Sequence, residues 1–233
     1  MKRIPLLMLL SATFSVAYAQ SPANLYGREA QGAVGVVAAA KPDASQVGVD
    51  ILRKGGNAVD AAVATAFALG VLEPNASGLG GGGFMLIKLA NMKEAVVVDF
   101  RETAPAAAKP DMYKIGEDGK VVNAANVVGG LAVGVPGEVA GLLYGLEKFG
   151  SKKLTRAQII QPSIDWANKG YIVTGNLSKI ISDELVKINK FPATAKIYTN
   201  GGLPWEMGDT IRNPELAATL ASIAKNGKDT CDG

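Results

Sequence analysis

The apolar positions of this sequence change their spacing along the chain, and each spacing predicts an element. Ala33 to Ala40 is a run of small apolar residues that suits a buried strand. Ala44, Val47 and Ile51 then recur at helical intervals, with Asp43 or Ser45 placed to cap the helix and Gly55-Gly56 to stop it. Asn57 opens a second helix reaching about Leu72, apolar nearly all round, so it belongs in the middle of the structure. Pro74 ends it. Phe84 to Ala90 and Ala95 to Phe100 read as strands, joined as a hairpin by Asn91-Met92-Lys93. Pro105 to Gly119 is loop-like and carries the turn signal Asp118-Gly119.

From Gly137 onward the spacing is mostly helical. Thr155 and Gln158 match a capping box opening a helix that Gly170 closes, with Pro162 inside it to kink or break it. Leu177, Ile181, Leu185 and Ile188 form the next stripe. Asn213-Pro214 starts a last helix, with Leu216, Leu220 and Ile223 inward and Asn226-Gly227 as its stop. There is no internal repeat. Strands come early and helices late, which predicts an α+β or layered sandwich rather than a regular βαβ series.

The first residues have a different logic. Lys2 and Arg3 precede the apolar run Ile4 to Ala12, and Ala17-Tyr18-Ala19 follows before Gln20. A basic start, a short apolar core and a small-x-small ending make residues 1–19 a signal peptide, so the chain is exported, to the periplasm or beyond. The mature domain is then 20–233. The run is too short to span a bilayer, and no later segment reaches the roughly 20 residues a span needs.

Composition narrows the chemistry. The chain holds 24 basic and 21 acidic side chains, and losing Lys2 and Arg3 brings it closer still to balance. That argues against a nucleic-acid partner, which requires a basic excess on one face. Cys231 is the single cysteine, so no internal disulfide or multi-thiolate metal site is available. Histidine is absent, which removes the Ser-His and Cys-His hydrolase mechanisms together with the common zinc sites.

Gly78, Gly80 and Gly83 match a dinucleotide-binding fingerprint as a string, with Asp99 near the expected acidic position. That mechanism requires a strand before the glycines and a helix after them. Here the order is reversed, so a nicotinamide or flavin site is rejected. No Lys-Ser or Lys-Thr follows, so a phosphate loop is rejected too. The glycines then mark either a tight turn with close backbone packing or a backbone surface bordering a substrate cleft.

Three segments in order, Asp50 to Ala64, Leu79 to Leu86 and Asp99 to Pro105, resemble the large-subunit half of γ-glutamyltransferases, also called γ-glutamyltranspeptidases or glutathione hydrolases. Gly134 to Gly141 resembles a fourth. The resemblance covers about Leu25 to Gly227. It implies a part of the αββα sandwich of N-terminal-nucleophile hydrolases, made as a precursor that cuts itself into two subunits. The nucleophile is the new N-terminal threonine, whose own amine serves as base, a logic suited to a chain without histidine. The implied donors are γ-glutamyl compounds such as glutathione, and the acceptors are water, amino acids or peptides. The implied partner is the small subunit, and no cofactor or metal is implied.

One position carries over by its motif. Arg101 matches the family arginine that binds the α-carboxylate of the γ-glutamyl group, where a planar guanidinium fork meets a carboxylate with two parallel hydrogen bonds. Asp60, inside the apolar helix, reads as a buried, hydrogen-bonded structural acid. The pattern also departs from the family. None of the ten threonines is adjacent to another, and none matches the processing site. The nucleophile and the oxyanion-hole glycines are expected beyond this chain, so the polypeptide alone is expected to be inactive and its apolar sheet face uncovered. An exported non-catalytic remnant or carboxylate-binding protein is the alternative reading.

Overall fold

The computed structural model describes residues 29–230. The signal peptide and Cys231 lie outside them. The chain divides into two compact units after Val36. The described part of the first, residues 29–36, has no helix or strand, and Val34 and Val36 are exposed. The buried strand expected over 33–40 is therefore not formed: among the described residues no strand pairs with it, and within the second unit Val37 and Ala39 pack on the core.

The second unit is built around two consecutive helices, α1 (Pro42–Arg53) and α2 (Ala58–Leu72). α1 begins two residues earlier than a cap at Asp43 would place it. Pro42 takes the first helical position and Lys41 precedes it without a side-chain cap, so Asp43 serves as first-turn acid instead. Ala44, Val47 and Ile51 face inward as their spacing requires.

α2 is the central helix, packed against α1, α3 (Glu138–Phe149) and α4 (Arg156–Lys169). Contact on several sides explains its all-round apolar sequence. Asn57 and Asp60 close a capping box: Asn57 Oδ1 accepts from the Asp60 N–H at 3.0 Å, and Asp60 Oδ2 accepts from the Asn57 N–H at 2.8 Å. Asp60 also accepts from the Ser151 N–H at 3.1 Å, and Asn57 Nδ2 donates to the Phe149 carbonyl at 2.8 Å. One cap thus ties the start of α2 to the end of α3.

Asp60 has no exposed surface, and its charge is met by backbone donors. Asp60→Asn presents an amide where two N–H groups need an acceptor. It should cost about 2 kcal/mol, read as a lowered urea midpoint at unchanged slope.

Strands β1 (Phe84–Ile87) and β2 (Val96–Asp99) pair antiparallel, with Phe84 opposite Asp99 and Ile87 opposite Val96. Each is shorter than its apolar run, and residues 88–95 rather than three form the connection. A turn within it, with the Met92 N–H donating to the Leu89 carbonyl at 3.1 Å, accounts for the difference. Ile87 and Val98 are buried, whereas Phe84, Leu86 and Val97 on the other face are exposed. The uncovered apolar face expected from the sequence is present.

α4 keeps its predicted capping box, Thr155 with Gln158, and runs unbroken through Pro162. Pro162 gives up one helical hydrogen bond there, while Ile159, Ile160, Ser163 and Ala167 of the same helix are buried. Beyond α4 come β3 (Tyr171–Ile172), α5 (Gly175–Asp183), α6 (Leu185–Ile188) and α7 (Pro192–Tyr198). The stripe Leu177 to Ile188 is thus divided between α5 and α6 at Glu184. β4 (Thr199–Asn200) pairs with β5 (Leu203–Pro204), and β6 (Thr210–Ile211) returns to β3.

α8 (Pro214–Asn226) packs on α4, capped by Asn213 as the sequence predicts. Arg156 joins the two helices, donating to the Ala224 and Lys225 carbonyls at the end of α8. No helix among the described residues is long and apolar enough to cross a membrane.

Candidate functional site

The site is built where the glycine run, the end of β2 and the start of α3 meet. The Gly81 carbonyl accepts from the N–H groups of Gly137 at 3.0 Å and Glu138 at 2.9 Å, at the first turn of α3. Gly83 and Phe100 exchange backbone hydrogen bonds, extending the β1–β2 ladder by one pair. Thr103 and Val135 form a further antiparallel bridge. Three of the four segments that carry the family resemblance therefore touch through their main chains, and the fourth supplies α1 and α2 beneath them.

Two glycines are required by close approach. A Cβ on Gly137 would lie 2.0 Å from the Phe100 carbonyl oxygen, and one on Gly82 would lie 2.3 Å from the same atom. Gly141, one turn along α3, receives the Phe100 ring, and Gly145 receives the thioether of Met85. The glycine run is thus a turn with close backbone packing, one of the two roles its sequence allowed, and it is followed by a strand.

Arg101 follows β2 on this frame. Its N–H donates to Asp99 Oδ1 at 3.0 Å, which turns the chain at the strand end. Its side chain is 71% exposed, and Nε lies 3.5 Å from Glu102 Oε2. No other side-chain partner holds the guanidinium among the described residues, so the fork is presented outward. Glu102 is its opposite: Oε2 is buried and makes no hydrogen bond, only the long ion pair to Arg101.

Glu138, at the start of α3, is pushed above the ordinary carboxylate range, first by burial and then by the negative charge of Glu102. A raised acid binds more protons folded than unfolded, so its contribution to stability falls as pH rises above the ordinary carboxylate value. Glu138→Gln should therefore stabilise the protein near neutral pH and lose that advantage in acid. Urea midpoints at pH 4 and pH 7 check the sign.

A cleft of about 870 Å³ opens beside this frame, lined by Asp99, Phe100, Gly137 and Tyr144 on one part and by Arg156 and Asp229 on another. Arg101 is not among its lining residues. The sequence reading singled out Arg101 and the glycines, with Asp99 or Glu102 as the alternative ion-pair partner of Arg101, but missed Glu138 and the packing role of Phe100. The four-residue spacing of Gly137, Gly141 and Gly145 was the available signal, since small residues on one helix face permit a close neighbour.

Comparison with known proteins decides the family. The sequence model of the gamma-glutamyltranspeptidase family matches residues 44–231. The chain belongs to that family. The glutathione hydrolase proenzyme of Bacillus subtilis (strain 168) is 42% identical over 217 residues, covering 91% of this chain and 36% of that protein. The Escherichia coli (strain K12) glutathione hydrolase proenzyme is 39% identical over 240 residues, covering 98% of this chain and 40% of that protein. The crystal structure of Helicobacter pylori gamma-glutamyltranspeptidase superposes with a TM-score of 0.81 at 37% identity, covering 87% of this chain and 57% of that one. The chain thus spans about two fifths or less of the length of these two curated relatives. It shares the α+β fold of these N-terminal-nucleophile hydrolases.

Proposed function

We propose that the chain works in an exported γ-glutamyltransferase, transferring γ-glutamyl groups from glutathione and similar donors to water, amino acids or peptides. The observation that carries this reading is the presentation of Arg101. Its guanidinium is exposed and, among the described residues, has only a long ion pair at Nε, on a frame fixed by backbone contacts among the family segments. Such a fork suits one carboxylate gripped by two parallel hydrogen bonds. Arg101 is accordingly the group that takes the donor's α-carboxylate.

The curated relatives are named proenzymes. In this reading the nucleophile is the N-terminal threonine of a small subunit released by self-cleavage, and no residue of the 233 is assigned that role. The test is substitution in the processed enzyme: Arg101→Lys should raise KM for γ-glutamyl donors, and an unchanged KM refutes the assignment. Export is tested separately. Residues 1–19 should be absent from the mature protein, whose amino-terminal sequence should begin at Gln20; retention of Met1 at the mature terminus contradicts it.

A further inference from the structure

The dipeptide Asn-Gly occurs twice in the chain, at Asn200-Gly201 and at Asn226-Gly227, and the fold treats the two differently. Asn200 is exposed at the tip of the β4–β5 hairpin, where it pairs with Leu203 across a turn made by Gly201 and Gly202. Both glycines have positive φ, 61° and 91°, a conformation that side chains disfavour. The turn is tied down at Gly202, whose N–H donates to Thr199 Oγ1 at 3.1 Å and whose carbonyl accepts from Asn189 Nδ2 at 2.9 Å. The preceding groups are not held. Among the described residues neither the Gly201 N–H nor the Asn200 side chain has a hydrogen-bond partner, and nothing lies within 4 Å of where a Cβ would stand on Gly201. Asn226-Gly227 instead closes α8. Asn226 Nδ2 donates to Ser222 Oγ at 3.2 Å, the Gly227 N–H donates to the Ile223 carbonyl, and a Cβ on Gly227 would lie 2.7 Å from an Arg156 nitrogen.

We propose that Asn200 is a site of spontaneous deamidation in the folded chain and that the fold protects Asn226 from the same reaction. The proposal is independent of what Arg101 binds. The Gly201 nitrogen attacks the side-chain carbon Cγ of Asn200. The N–Cγ bond forms, the Cγ–Nδ2 bond breaks, and Nδ2 leaves as ammonia with the proton given up by Gly201. The five-membered succinimide then takes up one water at either carbonyl. Opening at Cγ gives aspartate, and opening at the main-chain carbonyl gives isoaspartate, whose peptide bond runs through the side chain. Nothing is oxidised or reduced, and the site gains one negative charge. The step requires a nitrogen free of hydrogen bonds, room for the ring, and no side chain on the attacking residue; the hairpin supplies all three. At Asn226 both reacting groups are engaged and Arg156 occupies the space, so reaction waits for the end of α8 to open. Isoaspartate puts an extra carbon into the main chain at a position that pairs across the hairpin, so β4 and β5 lose their register. Trp205 follows directly, with its Nε1–H donating to the Ile197 carbonyl at 3.1 Å and its own carbonyl accepting from Ser178 Oγ at 2.8 Å.

The experiment ages the full 233-residue chain at pH 8, where the attacking nitrogen loses its proton more readily than in acid, and maps both sites by mass spectrometry of peptides. In the folded chain Asn200 should convert at least about 10-fold faster than Asn226, because only Asn226 needs a local opening first. Aspartate and isoaspartate should both form at position 200. In urea, where neither site is structured, the two rates should converge. The indole N–H signal of Trp205 in NMR spectra should shift as isoaspartate accumulates. Asn200→Gln, whose longer side chain would have to close a larger ring, should stay unmodified at position 200 and keep the Trp205 signal of the fresh wild type. An Asn200 that stays intact in the folded chain while the urea-unfolded chain reacts overturns the proposal, as does an Asn226 that reacts equally fast in the folded chain. A rate difference that persists in urea also overturns it, since the preference would then belong to the neighbouring sequence and not to the fold.

Discussion

Gly137→Ala should be among the most damaging single substitutions in this chain, costing about 3 kcal/mol. The reason is steric and local. The added methyl would lie 2.0 Å from the Phe100 carbonyl oxygen and 2.8 Å from its carbon, so no side-chain rotamer can relieve it. Gly137, the cap of α3, has φ −111° and ψ −15°, a negative-φ conformation open to other residues, so the cost is one of space and not of backbone strain. The backbone must part at the join between β2 and α3. That movement also weakens the hydrogen bonds that Gly137 and Glu138 give to Gly81. The effect should therefore reach Arg101, one residue beyond Phe100. Urea unfolding measures the stability loss, and the Arg101 Nε–H signal measures the displacement. A variant with wild-type stability would show that the three segments are not packed as described.

Arg101→Ala should leave the fold intact and remove most of the affinity for γ-glutamyl donors. The side chain is exposed, and its ion pair with Glu102 is long, so its loss is nearly neutral for stability. For binding the balance is different. Two charge-assisted hydrogen bonds to one carboxylate give a loss of about 100-fold in kcat/KM. Arg101→Lys keeps the charge but not the fork, and should fall between, at about 10-fold. The contrast between unchanged unfolding and lost affinity separates a binding role from a structural one.

How much of this was legible in the sequence varies by element. α2 was readable because its apolar residues cover every face and its cap, Asn57 with Asp60, is local in sequence. α4 and α8 were readable for the same reason, through Thr155, Gln158 and Asn213. Local rules failed where the outcome depended on partners distant in sequence. Residues 33–40 have strand-like composition, but a strand is made by its neighbour's hydrogen bonds and none among the described residues pairs there. Pro162 has the intrinsic power to break a helix, yet α4 continues through it with a buried apolar face on either side of the lost hydrogen bond. Arg101 was found through the motif around it, since an exposed arginine has no signature of its own. Glu138 was not found, because a lone carboxylate becomes informative only when its burial and its neighbour are known. The hydrogen bond from its N–H to the Gly81 carbonyl joins positions distant in the chain.

The central claim is that Arg101 binds the α-carboxylate of the γ-glutamyl donor. Its most direct measurement compares, in the processed enzyme, γ-glutamyl-p-nitroanilide with the analogue that lacks only the α-carboxylate. The account predicts a preference for the carboxylated donor of about 100-fold in kcat/KM that largely disappears in Arg101→Ala. A preference retained in full by Arg101→Ala would contradict it, and would place the carboxylate on another group.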